Sequence, residues 1–312
     1  MIVTVTLNPA VDKALEVPGF AVGAHARAVV RSLLPAGKGV NVARGVARLG
    51  GRAEATGFIG RNEERMFVES LAEEGVPAEF CAVNGPTRTN TTVLDPHART
   101  TTHLRERGFR VGPEDLAAIG ALLERRLLSW PKATLVFAGS LPDGVPPNAF
   151  VDLLRSCAEG GAEVVVDTNG PALRAAVESG AVRAVKPNLE ELAECLGRPV
   201  PRSEALDAAR ELLGRVRTVL LTLGEEGAYL VDEQGALGRR CTLEAGELGN
   251  TVGCGDAFLA GWLRGRELGR EPADALCWAV AAGAASAMSE STVGYTLADV
   301  EALLPRCEAL LT

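Results

Sequence analysis

The residues best suited to chemistry lie late in the chain. Asn250-Thr251-Val252-Gly253-Cys254-Gly255-Asp256 leads directly into the apolar run Ala257-Phe258-Leu259-Ala260-Gly261. This pattern predicts a tight glycine turn feeding a helix. Glycines there allow positive φ and close approach of an anion, and the free N–H groups and positive dipole end of the helix face that anion. Asp256 adds a carboxylate in the first turn. An anion hole formed by Gly253, Cys254 and Gly255 beside a proton acceptor is what phosphoryl transfer to a sugar hydroxyl requires. The same residues also fit an ordinary glycine loop capped by Asp256. A dinucleotide fingerprint would need Gly or Ala where Phe258 stands, and would sit in the first βα unit.

Other polar residues fall where open α/β sheets bind ligands. Asp12 follows the strand-like run Ile2–Leu7, and Asp167 ends another at Val164–Asp167. Pro35-Ala36-Gly37-Lys38-Gly39-Val40-Asn41 opens a helix, but Gly39 occupies the Ser/Thr position of a phosphate-binding P-loop, and the upstream glycine is missing. Gly37, Lys38 and Asn41 still suit a sugar hydroxyl or phosphate. Arg88 and Asn90 share one strand face at period two, which suits one ligand or simply a solvated face. Lys186-Pro187-Asn188 forms an extended turn into a helix with Glu191 in its first turn, either near Mg²⁺ through water or complementing the helix dipole.

The elements that must position these groups alternate as β and α over most of the chain. From Pro113 the rhythm is regular, and three helices close the chain. Thr218–Leu223 and Ala228–Val231 flank Gly224-Glu225-Glu226-Gly227 as an antiparallel hairpin at a sheet edge. The rhythm breaks twice. Ala14–Val17 with Arg27–Leu34, and the threonine-rich hairpin Thr87–Leu94 with Arg99–Arg105, predict four flap strands from insertions at about 12–34 and 87–108.

The 312 residues, 47% hydrophobic and 23% charged, suffice for a sizeable core. A net charge of −8 argues against a nucleic-acid surface. Seven cysteines without C-x-x-C spacing, and only three histidines, offer no zinc pattern and predict reduced thiols in a cytoplasm. The N-terminus lacks signal-peptide character, and the apolar run Ala275–Met288 is too short to span a bilayer.

Taken in order, Thr6-Leu7-Asn8-Pro9-Ala10-Val11-Asp12, Ala36-Gly37-Lys38-Gly39-Val40-Asn41-Val42, Thr87-Arg88-Thr89-Asn90, Gly139-Ser140-Leu141-Pro142, Lys186-Pro187-Asn188 with Glu191, Leu223-Gly224 with Gly227, and Gly253-Cys254-Gly255-Asp256 resemble the ribokinase-type (PfkB) sugar kinases across essentially the whole chain. Within that family the likeness is to the phosphosugar branch of 1-phosphofructokinase, tagatose-6-phosphate kinase and the minor 6-phosphofructokinase. The resemblance implies a single kinase domain over residues 1–312, a three-layer α/β/α fold with a mostly parallel central sheet and a small β-sheet lid. It implies Asp256 as base, the amides of Gly253, Cys254 and Gly255 as anion hole, and Lys186, Asn188, Thr222, Gly224 and Gly227 around ATP, with Glu191 in the magnesium shell. Asp12, Gly37, Lys38, Asn41, Arg88 and Asn90 would hold the sugar phosphate, with Lys38 and Arg88 converging on its phosphate. Cys254 stands where Ala is usual, Glu247-Leu248-Gly249 replaces a more apolar run, and Ser291-Thr292-Val293-Gly294-Tyr295 carries an unusual Tyr.

The expected activity is ATP-dependent phosphorylation of fructose 1-phosphate to fructose 1,6-bisphosphate, with tagatose 6-phosphate or fructose 6-phosphate as the other acceptors. A sugar-phosphate sensor of weak activity is the reading from a different class. The uncovered flap edges predict a homodimer joined through the lids.

Overall fold

A computed structural model describes residues 1–244, 246–289 and 294–311; positions 291–293 of the Tyr295 stretch lie outside the described residues. The central parallel strands are β1 (Ile2–Thr6), β4 (Ala53–Gly60), β5 (Ala78–Val83), β8 (Thr134–Ala138), β9 (Glu163–Asp167), β10 (Ala184–Val185) and β11 (Thr218–Thr222). Antiparallel strands β12 (Ala228–Asp232), β13 (Gly235–Cys241) and β14 (Cys307–Leu310) extend one edge. The order is β14-β13-β12-β11-β10-β9-β8-β1-β4-β5, ten strands in all.

These strands read as continuous apolar runs because both faces are covered. Leu135, Phe137, Val164 and Val166 point into one core, against helices α3 (Pro113–Ser129), α4 (Pro147–Glu159), α5 (Gly170–Glu178), α6 (Leu189–Leu196) and α7 (Ala205–Arg210). Their alternates Val136 and Val165 point into the other, against α1 (Lys38–Arg48), α2 (Glu64–Glu73), α8 (Cys254–Glu267) and α9 (Pro272–Met288). Helix α10 (Leu297–Leu303) packs on α9 through Val300 and Leu303. Gly261 sets the α8–α9 approach: a Cβ there would lie 2.4 Å from the Trp278 carbonyl oxygen, so only glycine lets the backbones meet.

A second, four-stranded sheet has the order β3-β2-β6-β7, from β2 (Ala10–Glu16), β3 (Val29–Ala36), β6 (Arg88–Asp95) and β7 (Thr100–Arg105). Asp95 ties it together. Its carboxylate accepts from the backbone N–H groups of Gly19, Phe20, His97 and Ala98, which hold it below the usual carboxylate range.

Two sequence expectations shift. Asp12, placed in a loop after β1, lies inside β2, because the chain enters the small sheet at Ala10. The three closing helices are followed by β14, and the expected hairpin edge becomes a three-strand antiparallel edge through β13. β14 spans only Cys307–Leu310 and β13 is half-exposed along its length, so neither carries an apolar run or a clear alternation.

Candidate active site

The strand order reverses at β1 and β8, and there the loops after both strands meet. The Asn8 side-chain amide donates to Ser140 Oγ at 3.1 Å. Ligand crevices of open α/β sheets form at such switch points, beyond the carboxyl ends of the strands.

Four charged side chains converge at that end of the sheet. Asp167, the last residue of β9, is fully buried and receives Lys38 Nζ at 3.0 Å, while Lys186 Nζ lies 3.2 Å from its other oxygen. Lys38 is the first residue of α1, and its Nζ also lies 3.6 Å from Glu191 Oε1. Burial pushes the Asp167 carboxyl up, but the charges of Lys186 and Lys38 outweigh it and hold it below the usual range. Burial likewise acts to lower Lys38, and Asp167, Glu191 and Asp256 raise it further.

Asp256 occupies the third position of α8, whose N-cap is Gly253 at φ 87°, a left-handed turn that favours glycine. The N–H groups of Cys254 and Gly255 lie in the first turn, ahead of any intrahelical acceptor. Asn41 donates to Asp256 Oδ2 at 2.8 Å across the α1–α8 contact. Burial and the nearby Asp167 charge raise the Asp256 carboxyl to about 6, against the opposing pull of Asn41, Lys38 and Lys186. The Cys254 thiol points elsewhere, within 3.7 Å of the Asn250 carbonyl oxygen, and burial raises it.

Beside this centre, the Lys186–Asn188 turn lies against the end of β11. Thr222 N donates to the Pro187 carbonyl oxygen at 3.0 Å, and Gly224 and Gly227 follow with φ 64° and 102°. Glu191 and Asn188 form a reciprocal capping box at the start of α6. Glu191 therefore serves both the cap and Lys38.

The small sheet supplies a separate polar group. Asn90 donates to Asp12 Oδ1 at 2.9 Å between register partners of β2 and β6. Burial raises the Asp12 carboxyl despite Asn90 and Arg88. Arg88 donates to the carbonyl oxygens of Asn8 and Pro9 at 3.1 and 3.3 Å, and burial and the neighbouring Arg105 charge lower it. Lys38 and Arg88 thus hold different partners, and the cation beside Arg88 is Arg105. The sequence marks Asp167 by position but gives it no role, and the structure makes it the anchor of both lysines. Its one signal was an acid ending an apolar strand, a position shared with structural aspartates.

A buried acid of raised pKa at a helix N-terminus, flanked by lysines in a switch-point crevice of a three-layer α/β/α fold, suits group transfer. The chain belongs to the pfkB family of carbohydrate kinases, whose pattern it matches over residues 5–296. It is 37% identical to a 1-phosphofructokinase of Rhodobacter capsulatus over 88% of this chain and 86% of that one. It is 32% identical to a 1-phosphofructokinase of Bacillus subtilis over 93% of each. Phosphofructokinase-2 of Escherichia coli, solved in complex with potassium, superposes with a TM-score of 0.90 at 28% identity, covering 97% of this chain and 98% of that one.

Proposed function

We propose that the protein transfers a phosphoryl group from ATP to the free primary hydroxyl of fructose 1-phosphate, with Asp256 as general base. The observation that supports this most is the Asp256 carboxylate, buried at the start of α8, oriented by Asn41 and raised to about 6. A base of that pKa is ionised at neutral pH yet still accepts a proton readily.

Asp256 takes the proton of the attacking hydroxyl as the new P–O bond to the γ-phosphorus forms and the bond from that phosphorus to the bridging oxygen breaks, releasing ADP. The Gly253, Cys254 and Gly255 amides hold the charge on the migrating group, and the Lys38 and Lys186 ammonium groups face the same region from their anchor on Asp167. ATP supplies the phosphoryl group, and Mg²⁺, when bound, would offset phosphate charge. Among the described residues no cluster of three His, Cys, Asp or Glu side chains could hold a metal ion. Glu191, at the start of α6 beside Lys38, would hold Mg²⁺ entering with the nucleotide. Lys186, Asn188, Thr222, Gly224 and Gly227 border the nucleotide.

Asp12 and Asn90 take sugar hydroxyls, and Arg88 with Arg105 takes the phosphate already on the acceptor. Two guanidinium groups repel one another until a dianion neutralises both. The small sheet acts as a lid, and its exposed Val29, Val30, Leu33, Leu34 and Leu104 support pairing with the lid of a second copy. Among the structural neighbours is a tetrameric inhibited form of Escherichia coli phosphofructokinase-2, at 27% identity.

The names of the relatives at 30–37% identity favour fructose 1-phosphate. ADP release measured with fructose, fructose 1-phosphate, fructose 6-phosphate and tagatose 6-phosphate tests the reading. The highest kcat/KM is expected for fructose 1-phosphate. Plain fructose as best substrate overturns the phosphate pocket, and no turnover with any of the four overturns the kinase reading.

A further inference from the structure

Three of the seven cysteines meet at the antiparallel edge of the large sheet. Cys241 ends β13 and Cys307 begins β14, directly opposite each other in the register. Cys277 lies on α9, which packs on this edge. The Cys307 thiol donates to the Cys277 and Leu303 carbonyl oxygens at 3.6 and 3.7 Å, and the Cys241 thiol reaches the same Leu303 oxygen at 3.8 Å. Arg239 Nε donates to Cys277 Sγ at 3.2 Å. All three thiols are only half-buried.

The Arg239 contact sets Cys277 apart from Cys241. Contact with Cys307 pulls both thiols below the ordinary range against burial, and the Arg239 guanidinium adds to this at Cys277, whereas burial raises Cys81, Cys157, Cys195 and Cys254. A stabilised, accessible thiolate with a second thiol in contact is the arrangement that oxidises selectively.

We propose that Cys277 is an oxidation site for hydroperoxides and that Cys307 captures the product as a disulfide tying α9 to β14. The Cys277 thiolate attacks one peroxide oxygen; the S–O bond forms as the O–O bond breaks, and the leaving oxygen takes a proton to depart as water or alcohol. The sulfur is thereby oxidised to a sulfenic acid and the peroxide reduced. The Cys307 thiol then loses its proton and attacks that sulfur, forming the S–S bond, and the expelled hydroxide takes the proton as water. The bond bears on the cleft through a neighbour. Arg306 donates to Glu247 Oε2 and to the Thr242 carbonyl oxygen, each at 2.8 Å, and so anchors the stretch that leads to the Gly253 turn.

The full chain is treated with hydrogen peroxide, free thiols are alkylated, and the unreduced digest is mapped. A Cys277–Cys307 peptide is expected to accumulate at least ~10-fold faster than oxidation at Cys81 or Cys254, and dithiothreitol should reverse it. Arg239→Gln should slow its formation, and Cys307→Ser should leave a dimedone-reactive sulfenic acid at Cys277. The wild-type digest decides the matter even if a variant folds poorly. Cys277 oxidising no faster than Cys81, or a Cys241–Cys307 bond with Cys277 left free, overturns the proposal.

Discussion

The cleft and the small sheet hold their polar groups in opposite ways. In the cleft, Lys38, Lys186, Asp167, Asn41 and Asp256 hang from the ends of elements packed in two dry cores, and each has a fixed partner. In the small sheet, Asp12, Asn90 and Arg88 lie on strands whose other residues are half-open, with an apolar edge strand exposed to solvent. Rigid positioning within a fraction of an ångström is what proton transfer needs. A sheet of low local stability suits groups that must admit, recognise and release a sugar. On the proposed reading chemistry belongs to the body and selectivity to the lid, and that division can be attacked from both sides.

The largest effect is expected at Asp256. Asp256→Asn keeps shape and the Asn41 contact region but removes the proton acceptor, so kcat should fall at least ~10²-fold while KM for the sugar changes little. Stability should move the other way. Because the folded pKa of Asp256 is raised to about 6, its contribution to stability is fully present below the usual aspartate range and is lost as pH rises through about 6. The variant should therefore melt no lower than wild type at pH 8, with its advantage shrinking toward pH 4. Steady-state kinetics and thermal unfolding at the two pH values check both halves. Near wild-type turnover would remove Asp256 from the chemistry.

Arg88 tests the lid. Arg88→Ala should lower kcat/KM for phosphorylated sugars by about 10- to 100-fold, chiefly through KM, because a charge-assisted phosphate contact is lost. The residual rate with plain fructose should stay as it was. Equal losses on both substrates would mean that Arg88 only braces the Asn8–Pro9 turn to which it already donates.

Most of the body was legible in the sequence because doubly covered strands are continuous apolar runs and most helices begin at a Pro, Gly or capping residue, α2 and α7 excepted. The glycine turn, Lys38, Asn41 and Lys186 were legible because their types are unusual at strand and helix ends. Asp167 was not. Its carboxylate matters only because Lys38 and Lys186, 129 and 19 residues away in sequence, reach it in space. The pairing of Arg88 with Arg105 was hidden for the same reason: it follows from the β6–β7 register, in which Arg105 lies opposite Asn90. Strands β13 and β14 do not show in the sequence because half-exposed strands at the margin of a sheet are selected by a neighbour's free backbone groups, not by their own pattern.

The exposed edge of the lid gives a smaller effect. Leu33→Glu places a charge on β3 without touching the cleft. In sedimentation it should weaken self-association at least ~10-fold, with a modest rise in sugar KM. A wild-type chain that sediments as a fully active monomer at micromolar concentration would break the dimer proposal.

The smallest effect sharpens the comparison most, since it separates positioning from charge within the cleft. The Asn41 hydrogen bond stabilises ionised Asp256 and so opposes the upward push of burial and of Asp167. In wild type, kcat/KM should rise with pH through an acid limb near 6, because the base must be ionised. Asn41→Ala removes the donor while leaving Lys38, Lys186 and Asp167 in place, so the limb should move to higher pH. The midpoint, not the plateau rate, is the measure, because loss of the Asn41 side chain also disturbs the surroundings of Asp256. An unmoved midpoint would show that the acid limb belongs to another group, and a midpoint moved downward would mean that Asn41 raises the aspartate instead of steadying its charge.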